Sequence, residues 1–202
     1  MLELIKKDAR DSLRPLAKKI VGVNPNTLTL LGLSISIIAA FFFAAREILI
    51  AGFLLLISGF FDALDGAVAR ENGRTTRFGA FLDSVCDRFA DAAVLIGLMY
   101  GGLTSFPSFP DSFPGLALFS SFPDWFLGSL AITGSLMVSY TRARAEAAGT
   151  SASVGAGERA VRMIILIMGA FLNMLNWAVL ILVILSFITV YERIAFVRRT
   201  LK

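Results

Sequence analysis

The long apolar segments of this chain constrain its fold more than any other feature. Residues 28–45 carry no charged side chain, and a helix needs ~20 apolar residues to cross a bilayer. Hydrophobic residues make up 56% of the chain, which is above the ~45–50% that is typical of soluble domains. The sequence therefore predicts an all-α integral membrane protein. Its six predicted transmembrane helices are residues 28–45, 48–69, 78–101, 125–140, 159–173 and 177–191.

Mostly short connections join these helices, so we predict a single domain over residues 1–202, with the six-helix bundle at 27–197. In residues 1–26, apolar side chains recur at helical spacing between lysines and arginines. This pattern predicts an amphipathic helix on the membrane surface, and a solvated charged terminus is the alternative. Residues 102–124 are rich in proline and phenylalanine. They predict a loop on the outer surface without a catalytic role.

The charge pattern predicts an orientation. The net charge is +4 and the isoelectric point about 9.6, but the basic residues lie at one set of helix ends and not on one soluble face. Membrane orientation explains this better than nucleic-acid binding, so no nucleic-acid partner is predicted. Because positive residues favour the inside, we predict a multi-pass plasma-membrane protein with both termini and its active site in the cytoplasm. The basic residues placed inside are those of 1–26, Arg70, Arg74, Arg77, Arg142, Arg144, Arg159, Arg162 and those of 193–202.

Composition also limits the chemistry that the chain can perform. There is no histidine, which excludes histidine acid–base catalysis, histidine-bound zinc and histidine-activated nucleophiles. The single cysteine, Cys86, cannot form an intrachain disulfide and is predicted to be a packing residue. A carboxylate is then the natural group for proton transfer.

Two pairs of aspartates interrupt the apolar pattern. Asp62 and Asp65 are three residues apart and Asp83 and Asp87 are four apart, so each pair lies on one helix face. A short turn separates the helices, and both pairs lie within ~10–15 Å of the cytoplasmic boundary at 1.5 Å per residue. We therefore expect two neighbouring antiparallel helices to direct four carboxylates at one point.

Four carboxylates at this depth need positive charge nearby, because each costs ~2.5–3.5 kcal/mol to insert. Carboxylate oxygens suit Mg²⁺, Mn²⁺ or Ca²⁺, and two bridged ions would bind a phosphate or diphosphate. Gly66, Ala69 and Gly79 leave room for a flat ligand near the backbone. A structural salt-bridge cluster and the ion pathway of a transporter are the alternatives. A fifth acid, Asp91, is predicted to pair with Arg88.

The spacing of these residues, D-x2-D-G-x2-A-R-x8-G-x3-D-x3-D over residues 62–87, resembles the signature of the CDP-alcohol phosphotransferase family. Members transfer a phospho-alcohol from a CDP-linked alcohol to a second alcohol and release CMP, and they are commonly homodimers. The resemblance implies two Mg²⁺ ions, with Mn²⁺ as a possible substitute, bound by Asp62, Asp65, Asp83 and Asp87. It also implies that Asp87 is the general base that deprotonates the acceptor hydroxyl.

The same resemblance implies a binding site for the CDP-linked lipid, in which Gly66 and Ala69 form the floor for the cytidine. The predicted donor-binding residues are Pro25, Asn26, Thr27, Leu28, Asp62, Gly66, Ala69, Arg70, Thr76 and Gly79.

Four arginines suggest the nature of the acceptor. Arg142, Arg144, Arg159 and Arg162 lie at one predicted cytoplasmic level, and guanidinium forks match phosphate. The positive-inside pattern alone is the alternative explanation. The segments 139–149 and 155–163 resemble those of phosphatidylinositol phosphate and archaetidylinositol phosphate synthases. This resemblance implies inositol 1-phosphate as acceptor, and CDP-archaeol or CDP-diacylglycerol as the donor that enters from the membrane lipid.

Other functions stay open on the sequence alone. A family member that uses glycerol phosphate or another alcohol would share the aspartates. A prenyltransferase also binds diphosphate through metal ions and aspartates, although the spacing of the glycines, Ala69 and Arg70 argues against it. An ion or solute transporter with an intramembrane acidic site belongs to another class, but it would usually show repeated halves or broken helices.

Overall fold

A computed structural model describes residues 14–20, 22–73, 75–107 and 121–201. The regular secondary structure of this part of the chain is helical, with no strand, which confirms the predicted all-α class. Residues 14–19 are helical, but the rest of the amphipathic helix predicted for residues 1–26 lies largely outside the described residues. The long helices are α1 (Pro25–Ala44), α2 (Ile48–Glu71), α3 (Arg77–Tyr100), α4 (Asp124–Ala147), α5 (Arg159–Phe171) and α6 (Leu175–Thr200).

Three of the described helices, α1, α2 and α6, are long and apolar enough to cross a membrane. Large apolar side chains on their surfaces are exposed, such as Phe41 on α1, Phe53 on α2 and Ile188 on α6. Exposed apolar surface of this extent is typical of helices that face lipid. Helix α5 has 13 residues, a length of ~20 Å at 1.5 Å per residue, which is shorter than the predicted span 159–173.

Helices α2, α4 and α6 continue beyond the predicted spans. Helix α4 runs to Ala147, past the predicted end at residue 140, and α6 runs to Thr200, past residue 191. The added turns carry charged side chains, including Arg142, Arg144 and Glu146 on α4. Charge limits how much of a helix can lie in lipid, but it does not end the helix, so hydropathy alone underestimates these lengths.

The six helices pack in a closed ring. In the described residues α1 packs against α2 and α3, α2 against α5, α5 against α6, α6 against α4, and α4 against α3. Helices α2 and α3, which carry the aspartates, both rest on α1 and do not pack closely on each other within the described residues. The expectation that they are adjoining is therefore wrong in detail, because α1 supports both from one side and a space remains between them.

Small residues allow the closest helix contacts. A Cβ atom on Gly97 of α3 would lie 2.2 Å from the carbonyl oxygen of Ala40 on α1. On α4, a Cβ atom on Gly134 would lie 2.9 Å from Cβ of Ser186 on α6. Close backbone approach at small residues is a common way for helices to associate in lipid, where the hydrophobic effect does not drive them together.

Capping residues fix where α1 and α3 begin. The side chain of Asn24 accepts a hydrogen bond from the backbone N–H of Asn26 at 3.0 Å, and Pro25 is the first residue of α1. The hydroxyl of Thr76 accepts from the backbone N–H of Gly79 at 2.9 Å at the start of α3. Both caps satisfy backbone groups that a helix leaves free, so they stabilise the first turns of the two helices that border the site.

The helical residues 14–19 lie against the start of α1 and the end of α2. Ala17 is fully buried in a cluster with Leu28, Leu64, Ala67 and Val68. Arg14 adds a hydrogen-bonded ion pair of 2.8 Å to Glu71, the last residue of α2. The pair is exposed and contributes little stability, so the buried apolar contact is what holds this segment on the bundle.

Candidate active site

Three of the four signature aspartates converge in the space between α2 and α3. One carboxylate oxygen each of Asp62, Asp83 and Asp87 lies within 4.8 Å of the others. Asp62 is on α2, and the other two are one turn apart on α3. Oxygen ligands at this spacing can coordinate a divalent cation, so the donor set fits the metal site that the sequence predicts.

The fourth aspartate is held by a residue that the sequence analysis did not single out. Asp65 is buried and accepts a hydrogen bond of 2.5 Å from the hydroxyl of Thr29 on α1. Thr29 also donates to the carbonyl of Pro25 at 3.2 Å. Asp65 is not one of the three converging carboxylates, and it lines a neighbouring pocket together with Asp83. A threonine one turn into α1 carries no sequence signal that distinguishes it from an ordinary apolar-face residue.

Arg159 lies among the carboxylates. Its Nη1 atom is 2.7 Å from an oxygen of Asp62 and 2.7 Å from an oxygen of Asp87. Arg159 is the first residue of α5, so its side chain connects this helix to the aspartates on both α2 and α3. One guanidinium cannot balance three carboxylates, and the cluster keeps a negative charge that a divalent cation would offset.

Asp91 does not have the predicted partner. Its oxygens lie 2.5 Å from Nη2 of Arg162 and 3.4 Å from Nε of Arg159. Arg88 instead donates to the carbonyl of Ser84 at 2.6 Å and lies 3.6 Å from Asp87. The predicted Asp91–Arg88 pair is therefore wrong. Residues three apart on a helix are neighbours, but the arginines of α5 contact Asp91 instead.

A pocket of about 150 Å³ lies between α1, α2 and the start of α3. Thr27 is exposed, Leu28 is buried in the apolar cluster with Ala17, and Asp62 lines a small adjoining cavity with Asp87 and Arg159. These three predicted donor-binding residues therefore lie outside the pocket lining. The predicted donor-binding residues that do line the pocket are Pro25, Asn26, Gly66, Ala69, Arg70, Thr76 and Gly79.

Close contacts within this pocket explain why glycine occupies two of its positions. A Cβ atom on Gly79 would lie 3.0 Å from Oγ1 of Thr76 and 3.3 Å from Oδ1 of Asn26. A Cβ atom on Gly66 would lie 3.2 Å from Nη1 of Arg70. A larger residue at either position would displace polar side chains of the pocket lining. The glycines therefore preserve both the space in the pocket and the positions of these side chains.

A wide groove of about 820 Å³ opens on the other side of the aspartates. Both Asp83 and Asp87 line it, and Asp83 also lines the donor-side pocket. The carboxylate cluster therefore lies between the two spaces. The arginines that line the groove are Arg88, Arg142, Arg159, Arg162 and Arg193.

The four arginines predicted to bind the acceptor are not equivalent. Arg159 and Arg162 reach the carboxylates, as described above. Arg142 lines the groove and pairs with Glu146 at 3.0 Å. Arg144 is exposed and is not part of the groove lining. The helical periodicity of α4 explains the difference, because residues two apart point to different sides.

Arg193 also lines the groove, although from the sequence it is predicted only as part of the basic tail. It is 2% exposed, and it donates to the carbonyl of Val154 at 3.0 Å and to the carbonyl of Val138. These contacts connect α6 to α4 and to the segment before α5. Its partners are backbone groups far away in the chain, so no local pattern could have identified it.

A sequence model described as CDP-alcohol phosphatidyltransferase matches residues 22–191. The chain belongs to this family. The match includes all four signature aspartates and the groove arginines Arg88, Arg142, Arg159 and Arg162, and it ends two residues before Arg193. The family membership does not favour the transporter alternative.

Among the relatives of this phosphatidyltransferase is archaetidylinositol phosphate synthase from Pyrococcus horikoshii, with 35% identity over 197 residues, which cover 96% of this chain and 95% of the relative. A crystal structure of Mycobacterium tuberculosis phosphatidylinositol phosphate synthase with manganese and citrate has a TM-score of 0.75, 31% identity, and coverage of 92% of this chain and 88% of that one. The same enzyme with CDP-DAG bound has a TM-score of 0.73, with 31% identity and 92% of each chain covered.

Proposed function

We propose that this phosphatidyltransferase transfers a lipid phosphate from CDP-archaeol or CDP-diacylglycerol to inositol 1-phosphate, releasing CMP and forming a lipid inositol phosphate. The observation that carries this proposal is the position of the carboxylate cluster. It lies between a pocket lined by the predicted nucleotide-binding residues and a groove lined by arginines. A donor and an anionic acceptor can thus reach the same carboxylates from two sides.

The donor is assigned to the pocket between α1, α2 and α3. Gly66 and Ala69 provide a flat wall against which the cytidine would lie, and Arg70 and Thr76 supply donors for its phosphates. The solved relative with CDP-DAG bound supports a CDP-linked lipid as the ligand. The lipid tails would enter from the bilayer, since apolar side chains of α1 and α2 are exposed around the bundle.

Asp62, Asp65, Asp83 and Asp87 are proposed to hold two Mg²⁺ ions. When bound, such ions neutralise charge on the phosphoryl oxygens during transfer. The related crystal structure that contains manganese supports a divalent ion in this class of enzyme. Asp65 lines the donor pocket together with Asp83, so it borders the space into which the diphosphate of the donor would reach.

The proposed reaction is one in-line displacement at the lipid phosphorus. The acceptor hydroxyl gives its proton to Asp87 and forms the new phosphorus–oxygen bond, while the bond to the CMP oxygen breaks. Asp87 lines both the groove and the cavity beside Asp62, so its carboxylate can reach an acceptor that lies in the groove. With no histidine in the chain, a carboxylate is the natural base.

The groove is proposed to hold the phosphate of the acceptor. Five arginines line it together with several carboxylates, and guanidinium forks match the geometry of phosphate, which a neutral alcohol lacks. The named relatives support inositol phosphate over glycerol phosphate.

The proposal includes the predicted arrangement in the membrane. We infer six membrane spans, a juxtamembrane helix on the surface, and both termini and the active site on the cytoplasmic side of the plasma membrane. The arginine-rich ends of α4, α5 and α6 support this orientation, as do the apolar surfaces of α1, α2 and α6. A homodimer stays a prediction from the family resemblance.

The test is CMP release by the purified protein from CDP-archaeol and from CDP-diacylglycerol, with Mg²⁺ and a panel of acceptors. The panel contains inositol 1-phosphate, glycerol 3-phosphate, serine and free inositol. We expect release with inositol 1-phosphate and little with free inositol. Faster release with glycerol 3-phosphate would assign a different acceptor, and no release with any acceptor would contradict the proposed activity.

A further inference from the structure

The acidic residue one turn beyond Asp87 has partners that set it apart from the other aspartates. Asp91 touches two arginines of α5, Arg162 at 2.5 Å and Arg159 at 3.4 Å. It is absent from the group of described carboxylates whose oxygens lie within 4.8 Å of one another. Its contacts therefore point to the arginines and not to the metal site.

Arg162 depends on Asp91 for its charge partner. The residue is 2% exposed, its Nη1 donates to the carbonyl of Gly157 at 2.7 Å, and its Nε has no hydrogen-bond partner in the described part of the chain. A buried guanidinium is stable only when a carboxylate or several acceptors face it. The ion pair of Asp91 with Nη2 supplies that carboxylate.

The ion pair of Asp91 with Arg162 borders apolar surroundings. A small cavity of about 20 Å³ adjoins Asp91 and both arginines, and its lining includes Leu55, Val94 and Leu95. Asp91 is the one carboxylate in that lining. Without the Asp91 carboxylate, the guanidinium of Arg162 would lose the ion pair of 2.5 Å that holds its Nη2 edge.

Arg159 is held at both ends of its guanidinium. Nε faces Asp91, and Nη1 faces Asp62 and Asp87. The planar fork of arginine binds phosphate well only when its orientation is set in advance. Asp91 fixes the Nε edge of Arg159 and the Nη2 edge of Arg162, so one carboxylate sets the orientation of two groove arginines.

We propose that Asp91 is a positioning residue for the acceptor. It holds Arg159 and Arg162 in the orientation in which the groove binds the acceptor's phosphate, without itself touching the metal ions or the reacting atoms. This inference rests on the proposed function, because it assumes an anionic acceptor in the groove. It makes Asp91 a determinant of acceptor affinity that the four-aspartate signature does not include.

The test compares Asp91→Asn with the wild type in detergent or vesicles, by steady-state CMP release. We expect KM for inositol 1-phosphate to rise about 10- to 100-fold, the range for losing one charge-assisted contact. KM for the CDP-lipid should stay within about twofold of wild type. The affinity for Mn²⁺, measured by electron paramagnetic resonance, should fall far less than in Asp62→Asn, because Asp91 is outside the three converging carboxylates and reaches them only through Arg159. Asp91→Glu keeps the charge, so its KM for inositol 1-phosphate should lie between the values of the wild type and Asp91→Asn.

Two controls separate this role from others. Glu192→Gln removes an exposed carboxylate on α6 and should leave both KM values unchanged. Asp62→Asn should weaken Mn²⁺ binding. Loss of Mn²⁺ affinity in Asp91→Asn as large as in Asp62→Asn would make Asp91 a metal ligand and overturn the proposal, as would an equal rise in KM for donor and acceptor.

The outcomes also distinguish this inference from the proposed function. If the wild type prefers another phosphorylated acceptor, the same comparison is made with that acceptor, and the expected rise is the same. If the wild type uses only uncharged acceptors, both proposals are wrong. If Asp91→Asn does not fold, Asp91→Glu alone decides, and an unchanged KM for the acceptor in that variant overturns the positioning role.

Discussion

At the scale of single residues, the site combines groups with separate tasks at short distances. Asp87 is one turn from Asp83, which shares the metal cluster, and one turn from Asp91, which holds the arginines. The three acids lie on one face of α3, yet their partners come from α2 and α5. The different roles of these three aspartates thus depend on the groups that each carboxylate contacts and not on their positions along α3.

Asp87→Asn should abolish turnover, with kcat lowered by at least ~10²–10⁴-fold, because an amide cannot accept the acceptor's proton. Binding of the CDP-lipid should be partly retained, since the donor pocket lies on the other side of the cluster. Single-turnover CMP release and equilibrium binding of the CDP-lipid measure the two effects. Asp124→Asn, at the exposed start of α4, is the matched control. Turnover close to wild type would remove Asp87 from the role of base.

The arginines of α4 allow a matched comparison. Arg142 lines the groove and Arg144 does not, although both are exposed and two residues apart. Arg142→Ala should raise KM for the acceptor about tenfold, as expected for a lost charge-assisted contact, whereas Arg144→Ala should change it by less than about threefold, as for a charge without a direct contact. KM for the CDP-lipid is the internal control. A larger effect of Arg144→Ala would mean that α4 is rotated relative to the groove.

At the scale of helices, α1 is the support on which α2 and α3 are placed. It packs on both, and the space left between them is where Asp62 meets Asp83 and Asp87. The contact of Gly97 with the backbone of Ala40 sets the distance between α1 and α3. The geometry of the carboxylates therefore depends on a glycine several turns away from them.

Gly97→Ala should destabilise the protein by ~1–3 kcal/mol, because the new methyl group would overlap the carbonyl of Ala40. The thermal unfolding midpoint in detergent should fall accordingly. Gly22→Ala is the control, since among the described residues that are not adjacent in the chain no atom lies within 4 Å of the Cβ position at Gly22. A midpoint equal to that of the wild type would show that α1 and α3 are farther apart than described.

The helices were largely predictable from the sequence, and their arrangement was not. Apolar runs and capping residues such as Asn24 and Thr76 indicate where helices lie and begin. The fixed spacing of the aspartates identifies the three that converge, but it does not show that Asp65 lies apart from them. Hydropathy cannot place charged turns such as those of α4 inside a helix. It also cannot reveal partners that are distant in sequence, such as Asp91 with Arg162 or Arg193 with Val138.

At the scale of the whole molecule, the ring of helices creates two entrances to one cluster. The donor pocket lies among α1, α2 and α3, and the groove is lined by α3, α4, α5 and α6. A lipid donor and a water-soluble acceptor need such separate routes, because one comes from the bilayer and the other from solution. The proposed orientation places both near the cytoplasmic surface.

The orientation can be tested with single cysteines in a Cys86→Ser background. Ser121→Cys, before α4, should react with a membrane-impermeant maleimide applied to intact cells. Thr200→Cys, at the end of α6, should react only after the membrane is permeabilised, because the positive ends are expected inside. Both residues are exposed. Labelling of both cysteines from the same side would contradict the proposed topology.

The measurement that bears most directly on the carboxylate cluster is Mn²⁺ binding to the purified protein in the presence of the CDP-lipid. The convergence of Asp62, Asp83 and Asp87, with Asp65 beside them, predicts two tightly bound ions per chain. It also predicts that Asp83→Asn, which changes the residue shared by pocket and groove, binds fewer ions at a similar unfolding midpoint. Equal Mn²⁺ binding by the wild type and Asp83→Asn would contradict a metal site at these aspartates.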